Sequence, residues 1–190
     1  MDNKKEKIIH SAINVFQQKG IERTKVSDIV KGAGIAQGTF YLYFPSKLAV
    51  MPSIAEVMVN KLVQTMEQEV DREQTFTNQL KQVVDIVFQI TNDYRDIYAL
   101  MFAGLASSDY LKEWETIYEP YYAWMSEFLQ QSKASSVLRA NMDTEANAKL
   151  LIGLIESAAE QSYLYDQQEE DKATQKKKEV TEFAIHALGN

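Results

Sequence analysis

The chain has 190 residues, 45% of them hydrophobic, with seven glycines, three prolines and no cysteine. The missing cysteines exclude a disulfide framework and every thiolate metal site, and they suit a reducing cytoplasm. The net charge of −7 divides unevenly: residues 1–50 carry eight Lys/Arg and four Asp/Glu, for +4, and residues 51–190 carry twelve and twenty-three, for −11. A basic head on an acidic body brings only the head towards phosphates. The N-terminus, MDNKKEKIIH, has no apolar stretch behind its charges, and nowhere do about 20 apolar residues run together as a membrane span needs. The expectation is a cytoplasmic chain with no membrane partner.

Taken in order, nearly every segment reads as helix. From Lys4 to Lys19, Ile8, Ile9, Ala12, Ile13 and Phe16 recur at the three-to-four spacing of a buried stripe, and Gly20 supplies a stop. Val26, Ile29, Val30 and Ala33 predict a second, short helix that Gly32 and Gly34 break, and a third runs from Gln37 to about Tyr43. Ser46 can cap a fourth over roughly 47–70, with a kink or loosened turn at Pro52. Further helices are predicted over 75–93, 95–106, 109–132, 143–166 and 170–188. The fifth of the long ones starts at Ser107-Ser108-Asp109, Pro120 predicts a kink within it, and Asp143 caps the next. No strand pattern or internal repeat is present, so the fold class is all-α.

Residues 24–47 read TKVSDIVKGAGIAQGTFYLYFPSK, which has the logic of a helix-turn-helix: a supporting helix, a glycine-containing turn and a short helix whose outer face meets base edges. Val26, Ile29, Val30, Ile35, Phe40 and Phe44 supply the core that sets the angle between the two helices. Gln37, Thr39, Tyr41 and Tyr43 are left facing outwards. Glutamine pairs bidentately with adenine, threonine meets a thymine methyl, and tyrosine hydroxyls reach phosphates. Lys47, in the first turn of the next helix, suits a phosphate by charge and by the backbone N–H groups around it.

This stretch resembles the DNA-binding signature of the tetracycline-repressor (TetR) family, above all in Ile35-Ala36-Gln37-Gly38-Thr39-Phe40-Tyr41-Leu42-Tyr43-Phe44 followed by Ser46-Lys47. The match covers about residues 5–50. It implies operator contacts at Gln37, Gly38, Thr39, Tyr41, Tyr43 and Lys47, and an occasional one at Ser27. There are two departures. Ala36 stands where a capping serine is common, and Lys25 replaces a frequent Ser/Thr, leaving Thr24 as the alternative cap and Lys25 as a possible phosphate contact. The resemblance also implies how such a protein works: a ligand between the central helices shifts the joining helix and changes the separation of the two recognition helices. The division expected here is a helix-turn-helix domain at 1–46 and a helical ligand-binding and dimerisation domain at 47–190.

Beyond residue 50, Trp114, Tyr118, Tyr121, Met125 and Phe128 follow a 4-3-4-3 spacing on one helical face. Such a stripe is ordinary core, but the polar tips of its Tyr and Trp residues also suit a ligand pocket, with Phe88, Tyr94, Tyr98, Met101 and Phe102 as the opposite wall. Aromatic faces and an acidic surface both favour a lipophilic, neutral or cationic effector, with an acyl compound as the competitor. Glu156 and Glu160, one turn apart on an otherwise apolar helix, read as solvated or at a dimer rim, with facing a ligand as the alternative. Val180, Phe183, Ala184, Ala187 and Leu188 form a stripe that can meet Gly153, Leu154, Ser157 and Ala158, and two such pairs about a two-fold axis make a homodimer.

An enzyme reading fails on residues. The two histidines, His10 and His186, do not complete the Glu-x-x-His pairs of a carboxylate-bridged metal site, and no phosphate-binding glycine loop occurs. No metal or cofactor is implied. Two functions remain: a ligand-responsive repressor of a palindromic operator, and a DNA-binding regulator without a small-molecule ligand, acting through protein–protein or architectural contacts.

Overall fold

The apolar stripe of the first segment dictates the first helix, α1, over Asn3–Lys19, with Ile8, Ile9, Ala12, Ile13 and Phe16 buried. The computed structural model of the chain describes residues 3–105, 111–134, 136–165 and 170–189, with side chains at all of these but 100, 102–105, 111, 112 and 170. Gly20, at φ +72°, ends α1 in the left-handed conformation and donates its N–H to the Phe16 carbonyl at 2.8 Å. Helix α2 spans Val26–Ala33 and α3 spans Gln37–Tyr43; Gly34, left-handed at φ +66°, ends α2 as expected, whereas Gly32, also expected to break it, lies inside the helix.

The starts of these two helices are built from backbone and charge. Ala36 gives α3 no side-chain cap. Thr24 is buried and donates its hydroxyl back to the Gly20 carbonyl at 2.8 Å, so it does not cap α2. Instead Asp28 reaches back to accept the Lys25 N–H at 3.0 Å. Helices α1 and α2 approach closely: Ser11 Oγ donates to the Ile29 carbonyl at 2.7 Å, and a Cβ on Gly32 would overlap that oxygen.

After α3, Ser46 does cap the chain, accepting the Ala49 N–H at 3.2 Å, but what it starts is a 3₁₀ turn over Leu48–Val50. Helix α4 then begins at Met51 and runs to Glu69. Pro52 is therefore its second residue, where the missing N–H belongs to the first turn and breaks no helical bond. The remaining helices are α5 (Phe76–Asp93), capped by Thr75, α6 (Arg95–Leu105), and α7 (Leu111–Ala134), which runs through Pro120. Then come α8 (Thr144–Glu160), capped by Asp143, a wider π turn over Gln161–Tyr165, and α9 (Glu170–Leu188). The expected start signal at Ser107-Ser108-Asp109 lies outside the described residues.

The chain divides into two compact units, Met1–Met58 with Asp96–Ile117, and Val59–Arg95 with Tyr118–Asn190. In the first, Ile8, Phe16, Ile29, Phe40 and Ile54 are fully buried. In the second, α5, α8 and α9 pack on one another. Phe128 stacks on both Phe76 and Trp124, with centroids 5.5 and 5.6 Å apart, and the Arg72 guanidinium lies 4.8 Å over Trp124. Arg139 fastens the end of α9, donating from its backbone to Leu188 O at 3.3 Å and from its side chain to Ala187 O at 2.6 Å. Among the described residues no strand forms beyond an isolated bridge between Leu138 and Gly189, and no helix is long and apolar enough to cross a membrane.

The Ser11–Gly32 contact gives a direct test of the head. Gly32→Ala should cost about 1–3 kcal/mol, because overpacking displaces a buried hydrogen bond. Ser11→Ala should remove most of that cost, since the remaining contact, 3.5 Å from the added methyl to the residue 11 Cβ, is ordinary. A double-mutant cycle from urea denaturation measures the coupling, and additive effects would refute it.

Candidate nucleic-acid interface and effector region

Seven residues of α3 wrap about two turns of helix, so its core and its outer face can be read residue by residue. Phe40 and Phe44 are buried, their rings 5.7 Å apart, and fix α3 in the head. The opposite arc consists of Gln37, Gly38, Tyr41 and Leu42, all exposed, Tyr41 by 49% and Leu42 by 82%. Thr39 and Tyr43, expected to face outwards with Gln37 and Tyr41, are half-buried at the edges of this arc. Lys25 and Ser27 are exposed at the start of α2. Leu42 is the residue that sequence reasoning passed over. Its signal was its place one turn after Gly38, away from Phe40 and Phe44.

Lys47 is half-buried and does more than face solvent. Its ammonium donates to the Ile21 carbonyl at 2.6 Å and the Thr24 carbonyl at 2.9 Å, both in the turn between α1 and α2. The same turn is braced from the other side by Lys19, whose ammonium lies 2.8 Å from Asp28. That hydrogen bond, followed by the one from the Lys25 N–H, holds the Asp28 carboxyl below its ordinary pKa.

The expected effector-binding residues fall in both compact units. In the first, Tyr98 is buried and Trp114 half-buried, and the side chain of Phe102 lies outside the described residues. In the second, Phe88, Tyr118, Tyr121 and Met125 are buried, and Tyr94 is half-buried with the Lys61 ammonium 5.6 Å over its ring. Phe88 meets Tyr163 edge to face at 6.0 Å, and the Tyr118 and Tyr121 centroids are 6.1 Å apart.

Glu156 departs from its expected place. It is half-buried rather than a solvated rim residue, and its carboxyl accepts the Tyr118 hydroxyl of α7 at 3.0 Å. Burial pushes its pKa up to about 8, the Tyr118 hydrogen bond opposes the rise, and the charge of Glu160 adds to it. Burial likewise raises Glu160. At neutral pH the Glu156 carboxyl is therefore mostly protonated.

The face shared by α8 and α9 leaves large apolar groups open. Phe183 is 62% exposed, Gly153, Ser157 and Ala187 are exposed, and Leu154 is half-buried. Leu150, 71% exposed one turn before Gly153 and Leu154, extends the same face and was not anticipated. Ala158 and Val180 are buried in the chain's own core, yet both touch a cleft of about 260 Å³ that Leu154, Ser157 and Phe183 also line.

Comparison with known proteins joins these parts. Residues 8–54 match the family of bacterial regulatory proteins, tetR family, and residues 80–188 match the tetracyclin repressor-like C-terminal domain. The chain is 37% identical over 186 residues to YvdT, an uncharacterized HTH-type transcriptional regulator of Bacillus subtilis (strain 168), covering 98% of this chain and 95% of that one. Two solved structures share the fold. The fatty acid degradation regulator FadR of Bacillus halodurans has TM-score 0.78 at 22% identity, with 97% and 96% of the two chains covered. The transcriptional regulator FadR of Bacillus subtilis, in complex with stearoyl-CoA, has TM-score 0.78 at 21% identity, with 96% and 98% covered. With its DNA-binding and C-terminal regions both matched, and a relative similar along nearly its whole length, the chain belongs to the TetR family of bacterial transcriptional regulators.

Proposed function

We propose that the protein is a ligand-responsive repressor that binds a palindromic operator as a homodimer and leaves it when a small lipophilic effector enters the helical body. The observation that carries this reading is the exposed arc of Gln37, Gly38, Tyr41 and Leu42 on a head of charge +4. Such an arc meets base edges while lysines meet phosphates. Two of the three ammonium hydrogens of Lys47 hold the turn, and the third is left for a phosphate.

On this reading, selection from random duplexes returns an inverted repeat whose half-sites lie about 34–36 Å apart or a multiple of it. Gln37→Ala relaxes preference at one position per half-site, by about 1–3 kcal/mol. Lys47→Ala weakens all duplexes alike and lowers the salt slope by about 1. It also lowers the melting temperature of the protein, which loss of a phosphate contact alone would not do. An unenriched selection refutes direct readout.

The homodimer rests on the open α8–α9 face, where Phe183 and Leu150 are the groups a partner helix would bury. Phe183→Asp is expected to give monomers with little operator affinity, scored by light scattering and DNA binding. A wild type that stays monomeric at micromolar concentration counts against this assembly.

For the effector, a protonated Glu156 among Tyr118 and its aromatic neighbours makes an uncharged environment, which suits a lipophilic occupant. The stearoyl-CoA held by the FadR of Bacillus subtilis supports an acyl compound in particular. A second reading, an organic cation, is favoured by Glu156 itself, which would ionise against a positive charge. Release of operator DNA by a panel of acyl thioesters and cationic dyes separates them, and release by neither leaves the regulator without a small-molecule ligand.

The state of Glu156 has its own signature. Its folded pKa, about 8, lies above the ordinary 4.5, so the folded chain keeps a proton that the unfolded chain releases. Stability contributed by the neutral form is whole below pH 4.5 and is lost as pH rises to about 8, by at most about 1.4 kcal/mol per pH unit. Glu156→Gln should flatten most of that slope in urea denaturation between pH 5 and 8. An equally steep variant would show that the carboxyl is ionised in the fold.

A further inference from the structure

We infer that Leu42 is a specificity-determining residue of the recognition helix and that it reads thymine through the C5-methyl group. The inference rests on the operator-binding reading and deepens it. An exposed leucine is ordinary on most surfaces. The position of this one is not ordinary, because Phe40 and Phe44 already fill the core side of α3 and Leu42, 82% exposed, lies on the side opposite them.

The geometry points it at the groove. Gly38 and Leu42 are four residues apart and share a face. Leu42 therefore stands one turn after Gly38 on the outer face, without covering it. At Gly38 there is no side chain, and nothing comes within 4 Å of where a Cβ would stand. The outer face is thus open at Gly38 and carries one strongly exposed aliphatic group, Leu42, a turn further on, with Gln37 and Tyr41 exposed beside them. The helix can come close to the floor of the groove at Gly38, which brings the Leu42 hydrocarbon against the base edges.

The chemistry then selects the partner. In the major groove, guanine, cytosine and adenine edges offer hydrogen-bond donors and acceptors, and the thymine C5-methyl is the apolar group among them. Leucine has no donor or acceptor with which to read the others. Facing a donor or acceptor it would strip water from a polar edge and return nothing, so the same contact that favours thymine disfavours its alternatives. Gln37, five residues earlier at the other edge of the same arc, supplies the hydrogen-bonding half of the readout at a neighbouring pair.

The test uses the full chain and the inverted repeat that it selects. Each thymine in a half-site is replaced in turn by uracil, which keeps the pairing edge and removes only the methyl. Affinity is measured by fluorescence anisotropy at fixed salt. Wild type should lose about fourfold at one thymine per half-site, the worth of one buried methyl. Leu42→Ala, which removes the contact in both half-sites, should bind the unmodified repeat about sixteenfold more weakly and be indifferent to uracil at that position, while Gln37→Ala keeps the uracil penalty. Circular dichroism checks that Leu42→Ala folds, as the exposure of the residue leads one to expect. No uracil penalty anywhere, or the same penalty in Leu42→Ala, overturns the assignment while leaving operator binding intact. A chain that binds no duplex overturns the repressor reading along with it.

Discussion

Two backbone carbonyls in the turn after α1, those of Ile21 and Thr24, are met by one ammonium that arrives from the far end of the helix-turn-helix. Lys47 lies 26 and 23 residues along the chain from them. Hydrogen bonds to a charged donor are worth about 1.5–3 kcal/mol when partly shielded from water, so this pair is among the strongest non-local ties in the head. It fixes the exit of α3 against the α1–α2 turn just before Ser46 leads into the 3₁₀ turn and α4. The angle of the recognition helix and the entry into the joining helix are set by the same side chain. A displacement of the first residues of α4 would therefore pull on the carbonyls that hold the head's turn.

The other elements of the head reinforce that turn. Gly20 allows the sharp reversal, Thr24 binds back to Gly20 rather than forward to α2, and Asp28 is shared between the Lys19 ammonium and the Lys25 N–H. With the Lys47 ammonium held by two carbonyls and that of Lys19 paired with Asp28, part of the positive charge counted in residues 1–50 is structural. The charge asymmetry still orients the head towards DNA, but counting lysines overstates the number free to meet phosphates.

Much of this was legible in the sequence, and the limits have physical reasons. The bounds of α2 and α3 followed from glycine stops and apolar spacing, which are local. Ser46 was recognised as a cap, but whether a cap opens an α-helix or a 3₁₀ turn depends on what the next residues pack against, so the start of α4 at Met51 and the ease of Pro52 were hidden. The second task of Lys47, holding two carbonyls, was hidden because those partners are remote in sequence. Glu156 looked solvated because a carboxylate on an amphipathic helix usually is, and only the arrival of Tyr118, 38 residues away, makes burial tolerable. Leu42 was overlooked for the converse reason, since an apolar residue next to buried aromatics is expected inside. At each of these places the local signal was read correctly and a long-range contact, or its absence, decided otherwise.

Leu42 and Glu156 are two of the places where the chain departs from the ordinary rule of apolar inside and polar outside, as the exposed Leu150 and Phe183 also do. A leucine left in water gives up the burial that would have stabilised the fold, and a carboxyl taken from water must stay protonated to be tolerated. Neither reversal improves the packing around it: Phe40 and Phe44 hold α3 without Leu42, and an apolar residue at 156 would cost no desolvation. In a sequence that is otherwise consistent from spacing to caps to core, such local losses fall where stability was exchanged for contact with something outside the chain. One reversal is on the exposed arc of α3, and the other is beside the aromatic residues of the body. On the proposed reading, DNA recognition and effector response each have a residue whose chemistry the fold by itself does not require.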